Sequence, residues 1–106
     1  MSNDDDLGSF FALPPFKADE ALQRMRRDLK DRKPLVEQGA GPITRFTLQG
    51  DTVVELKLAD GAIECAIAKK VSQRPEWLRS TIRSTADVRK ALDAIARQMK
   101  LWVDED

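Results

Sequence analysis

Residues 45–67 read RFTLQGDTVVELKLADGAIECAI, and the period of two in this stretch decides the fold. Phe46 and Leu48 alternate with Arg45 and Thr47; Val54, Leu56 and Leu58 alternate with Glu55 and Lys57; Ile63, Cys65 and Ile67 alternate with Glu64 and Ala66. Alternation of this kind marks strands that bury one face. Gly50-Asp51 offers a two-residue turn between the first two runs, and Ala59-Asp60-Gly61 joins the second to the third, with a glycine free to take positive φ. The stretch therefore predicts a three-stranded antiparallel meander. Its apolar face is Phe46, Leu48, Val54, Leu56, Leu58, Ile63, Cys65 and Ile67, since a one-residue slip exposes the whole set.

That face needs a cover, and the flanking sequence supplies two helices. From Ala18 to Lys33, Leu22, Met25 and Leu29 recur at three- and four-residue steps with Ala18 and Ala21 beside them, and Pro34 stops the pattern. Asp19 and Glu20 at its start and Arg32 and Lys33 at its end suit the helix dipole. Ser84-Thr85-Ala86-Asp87 has the form of a capping box and opens a second helix, whose seam is Val88, Leu92, Ile95, Met99 and Trp102. Residues 37–42 read as a Gly-containing connector. Residues 75–83, PEWLRSTIR, have the composition of a fourth strand, with Leu78, Ser80 and Ile82 on one side. The expected class is α+β: a three- to four-stranded antiparallel meander flanked by an N-terminal and a C-terminal helix, in the order α-β-β-β-(β)-α.

Length and composition agree with one domain. The 106 residues suffice for one modest core, and 42% apolar with 34% charged residues suits a chain that folds in water. We read residues 17–103 as the domain, 1–16 as a flexible acidic and aromatic segment, and 104–106 as an acidic tail. The acidic start is unlike a signal peptide and the single Cys65 makes no internal disulfide, so a cytoplasmic setting is expected, with no membrane association.

The inventory of side chains narrows the chemistry. The chain has no histidine, which removes the commonest general base, the histidine-dependent nucleophile systems and most zinc sites. Cys65 falls on the buried side of its strand, where a thiol acts as apolar filler. Asp4, Asp5 and Asp6 form a solvated run without the turn of a calcium loop. Gly39-Ala40-Gly41-Pro42 precedes a strand and lacks the helix and Lys-Ser/Thr of a phosphate loop. The sequence thus predicts no enzyme, no cofactor and no metal, and no concave pocket with two convergent polar groups.

Eighteen basic residues balance eighteen acidic ones, yet the charge is segregated: residues 17–33 and 69–90 each hold seven basic side chains. Arg24, Arg27, Lys69, Lys70, Arg74, Arg79, Arg83, Arg89 and Lys90 are the candidates for a phosphate-tracking surface. The helix, three strands, helix order, with Gly41-Pro42 entering a strand that carries Phe46, resembles in topology the double-stranded RNA-binding domain. That resemblance implies duplex-RNA binding near Arg89 and Lys90, where the family carries a run of lysines. Here Asp87 precedes them and the connector 70–83 is longer than the family's. The leading expectation is instead a small non-catalytic protein–protein interaction or adaptor domain, with an unknown protein partner or self-association. Its candidate contact residues are Phe10, Phe11, Phe16 and Trp77, since clustered aromatic side chains either dock on their own domain or serve a partner.

Overall fold

The computed structural model describes residues 16–39 and 41–104. Two helices flank a five-stranded antiparallel sheet. In chain order the elements are α1 (Ala18–Lys30), β1 (Val36–Gln38), β2 (Ile43–Leu48), β3 (Asp51–Ala59), β4 (Ala62–Ala68), β5 (Trp77–Ile82) and α2 (Thr85–Asp104). The strands lie side by side in sequence order, β1-β2-β3-β4-β5, so the sheet is a plain meander.

The three expected strands are β2, β3 and β4. Their register sets Phe46 opposite Val54, Val54 opposite Ile67 and Leu56 opposite Cys65. These side chains and Ile82 meet Leu22, Met25 and Leu29 of α1 and Val88, Ala91, Ile95 and Trp102 of α2 in one core. Both helices therefore cover the same face, as an antiparallel sheet with one wet side requires.

Four local readings are corrected. The first hairpin turns on Gln49-Gly50 rather than Gly50-Asp51: both residues have positive φ, 56° and 89°, the pattern of a type I′ turn whose twist matches that of the strands. Leu58 is 41% exposed although it belongs to the apolar alternation. The pairing of β2 with β3 ends at Ile43 and Lys57, so Leu58 overhangs its neighbour strand. The first helix ends at Lys30, not Lys33. Pro34 disfavours helical geometry at the residue before it, and the last turn tightens as Asp31 and Arg32 donate to carbonyls three residues back. Finally, residues 37–42 are not all connector, because Val36–Gln38 pairs with Arg45–Thr47 as β1.

The segment 75–83 does join the sheet, as β5. Val53 is the extra residue of a β-bulge opposite Phe46 and Thr47, and Val53 and Val54 are both fully buried, so the period of two is broken there. At the start of α2 the backbone N–H of Asp87 donates to Ser84 Oγ at 3.1 Å, as a capping box requires. The Asp87 carboxylate accepts from the N–H of Arg83 rather than from Ser84, at 3.0 Å.

Candidate functional site

With both helices on one face, the other face of the sheet is left open among the described residues, and its composition follows from register. Gln38, Arg45, Glu55, Ala66 and Arg79 form one row across all five strands, and Ile43, Lys57, Glu64 and Thr81 form the next. Arg45 Nε lies 3.3 Å from Glu55 Oε2. Ala66 sits between Glu55 and Arg79 and is only 4% exposed, because the long side chains on either side overhang a methyl group. The result is a shallow depression of about 520 Å³ lined by Ile43, Glu55, Lys57, Glu64, Ala66, Arg79 and Thr81. The expectation that no hollow with convergent polar groups exists is thereby corrected.

Trp77 lies on the same side of β5 as Arg79, two residues away, and is half-buried against the margin of the core. With Arg74, Glu55 and Thr52 it lines a second hollow at the end of the sheet. The open face thus carries charges of both signs, an alanine floor and a tryptophan at one end.

The other candidates are distributed. Phe10 and Phe11 lie outside the described residues, as do Asp4, Asp5 and Asp6. Phe16 is half-buried and packs against the core, lining a groove with Arg24, Thr85 and Val88 between the starts of the two helices. All nine basic candidates are exposed. Arg24 and Arg27 belong to α1. Lys69, Lys70 and Arg74 lie in the loop before β5, where Lys69 meets Glu76 at 3.8 Å. Arg83 lies just past the other end of β5, about 20 Å away for six extended residues, while Arg89 and Lys90 belong to the start of α2, where Lys90 lines a hollow with Ser80, Thr81 and Ile82. The structure does not gather them on one surface: Arg79 stands on the open face, Arg74 lines the hollow at its end, and the others lie elsewhere.

The sequence reading missed an ion triad. Glu37 of β1 accepts from Arg26 Nε and lies 3.0 Å from Lys30 Nζ, which ties the short edge strand to α1. No local signal marks it, since it exists only because β1 pairs with β2. The hydrogen bond from Arg26, helped by Lys30, holds the Glu37 carboxyl below its ordinary 4.5. A depressed carboxyl pKa contributes stability that is complete above 4.5 and is lost as pH falls through the folded value. We expect Glu37→Gln to cost about 1–2 kcal/mol at pH 7, with the difference from wild type shrinking only as pH falls below 4.5. Urea unfolding at pH 7 and pH 3 measures both; a difference that grows in acid would contradict the assignment.

Cys65 is buried opposite Ser80 on the helix-covered side, and burial pushes its thiol up to about 11. It stays protonated at neutral pH and packs as filler. Among the described residues no group of three or more His, Cys, Asp or Glu is placed to hold a metal ion, and no helix is long and apolar enough to cross a membrane. Comparison with protein-family models, with curated proteins and with solved structures finds no match. The fifth strand and the edge strand β1 also separate this topology from the helix, three strands, helix order on which the duplex-RNA resemblance rests.

Proposed function

We propose that the chain is a non-catalytic protein-interaction module whose partner surface is the open face of the sheet. The observation that carries this is the row Arg45, Glu55, Ala66, Arg79: two signs of charge around a small, nearly covered floor, with Trp77 at the end of the same face. Alternating charge with an aromatic anchor suits a polypeptide partner, whose own side chains present both signs. A nucleic-acid backbone instead rewards one sign gathered along a track, and the basic candidates are spread over α1, the loop before β5, β5 itself and the start of α2. The lone, buried Cys65, which closes no disulfide, supports a cytoplasmic setting.

The test compares variants. Ala66→Arg fills the depression without entering the core, Trp77→Ala removes the aromatic anchor, and Arg24→Ala/Arg27→Ala alters the helix side. We expect protein partners captured by the wild-type chain to be lost with the first two variants and kept with the third. Capture indifferent to Ala66 and Trp77 overturns the reading. So does micromolar binding of labelled duplex RNA that weakens steeply with salt.

A further inference from the structure

The two edges of the sheet are managed differently. β1 is three residues long and is held against α1 through Glu37. β5 is six residues long, rich in β-branched and aromatic types, and pairs with β4 in unbroken register. It lacks most of the devices that blunt an edge, with no proline, no bulge and no lysine within the strand; Arg79 is its single charge.

The pairing at the start of β5 sets which backbone groups it offers. The N–H of Lys69 donates to the carbonyl of Glu76 at 2.9 Å, so Glu76 faces β4. Backbone direction alternates along a strand, so Leu78, Ser80 and Ile82 also face β4, while Trp77, Arg79 and Thr81 point their N–H and C=O groups outward. Arg83 would be next, but its N–H is already taken by the Asp87 carboxylate. Among the described residues the free ladder is therefore short and ends cleanly.

We infer that this edge pairs antiparallel with the β5 of a second copy, about a two-fold axis through Ser80. Side chains must keep their faces, which restricts the central registers to one centred on Arg79 or one centred on Ser80. Centring on Arg79 sets two guanidinium groups directly opposite each other, which is unfavourable. Centring on Ser80 sets Arg79 against the second copy's Thr81, Leu78 against its Ile82, and Trp77 against its Arg83. The Leu78 contact covers a leucine that is 44% exposed, and Trp77 gains a cationic neighbour. Arg79 and Thr81 of each copy exchange about four backbone hydrogen bonds. The joined sheet has the helices of both copies on one side and a single open face twice as wide on the other. This names a second copy as one partner of the interaction reading and uses the sheet's edge, so a monomeric chain overturns the pairing and leaves the open-face proposal standing.

Sedimentation equilibrium of the full chain over roughly 1–200 µM tests it, since a short strand interface should give a roughly micromolar dissociation constant. Thr81→Arg is the discriminating variant. Within one chain it faces Glu64, which favours the fold, whereas across the two-fold it faces Arg79. We expect wild type to dimerise, Thr81→Arg to weaken the dimer by tenfold or more with unchanged circular dichroism, and Arg79→Glu/Thr81→Arg to restore it by charge exchange. A wild-type monomer at the highest concentration, an undiminished Thr81→Arg dimer, or failure of the double variant to recover overturns the pairing.

Discussion

Phe46→Ala is expected to lower unfolding stability by about 3–5 kcal/mol. Phe46 is fully buried, stands opposite Val54 on β3 and opposite Glu37 on β1, and belongs to the cluster that joins the sheet to both helices. Removing the ring forfeits its transfer free energy and leaves a void that the bulge at Val53 and Val54 is poorly placed to close, because both valines are already packed. For a domain of this size total stability is about 5–15 kcal/mol, so the variant should sit close to its unfolding limit. Urea titration should show a lower midpoint with an unchanged slope, and Phe46→Leu should recover most of the loss. A change under about 1 kcal/mol for Phe46→Ala would mean that the ring is not the centre of this core.

Phe46 was legible in the sequence because its strand obeys the period of two, and so were Val54, Leu56, Ile63, Cys65 and Ile67. Leu58 obeys the same period and is nevertheless exposed, since periodicity assigns a face but says nothing of how far a neighbouring strand extends. Val53 fails in the opposite sense: a bulge buries a position the pattern gives to the wet side. β1 was hidden because three residues carry too little pattern, and its place depends on Leu35 reaching the core and on Glu37 finding Arg26 and Lys30.

The site was harder to read than the core for a related reason. Charge segregation along the chain suggested that the basic side chains of residues 69–90 act together, but β5 runs through the middle of that stretch and carries its two ends apart. What does converge on the open face comes from neighbouring strands in two rows, the one through Ala66 and the next through Glu64. Their most informative member is an alanine, a residue no motif search selects. The depression follows from the contrast between that methyl group and the arginine and glutamate beside it, and such contrast is visible only once the register is known.

Trp102→Ala should have an effect of the same size as Phe46→Ala, about 3–5 kcal/mol, through a different mechanism. Trp102 closes the last turn of α2: its ring is 4% exposed and its Nε1–H donates to the carbonyl of Ala68 at 3.0 Å. Gln98, one turn earlier, donates to the same carbonyl at 3.2 Å and to that of Lys69 at 2.9 Å. These carbonyls lie where β4 runs out and the loop bearing Lys70 and Arg74 begins, so the end of α2 supplies donors that the sheet ladder does not. Trp102→Phe keeps most of the apolar contact and deletes one of two donors to Ala68; it should cost about 1 kcal/mol beyond the lost ring area. Gln98→Ala alone should cost a similar amount. Together they leave a buried carbonyl unpaired, and the double variant should exceed the sum of the singles by about 1 kcal/mol or more. A thermodynamic cycle from chemical denaturation of the four proteins measures that excess, and strict additivity would show that the two donors do not share the Ala68 carbonyl. Trp102→Ala leaves Gln98 as the remaining donor from the helix to Ala68 and Lys69 and so loosens the loop, and faster hydrogen exchange at residues 69–74 should accompany the loss of stability, ahead of any change in the row through Ala66.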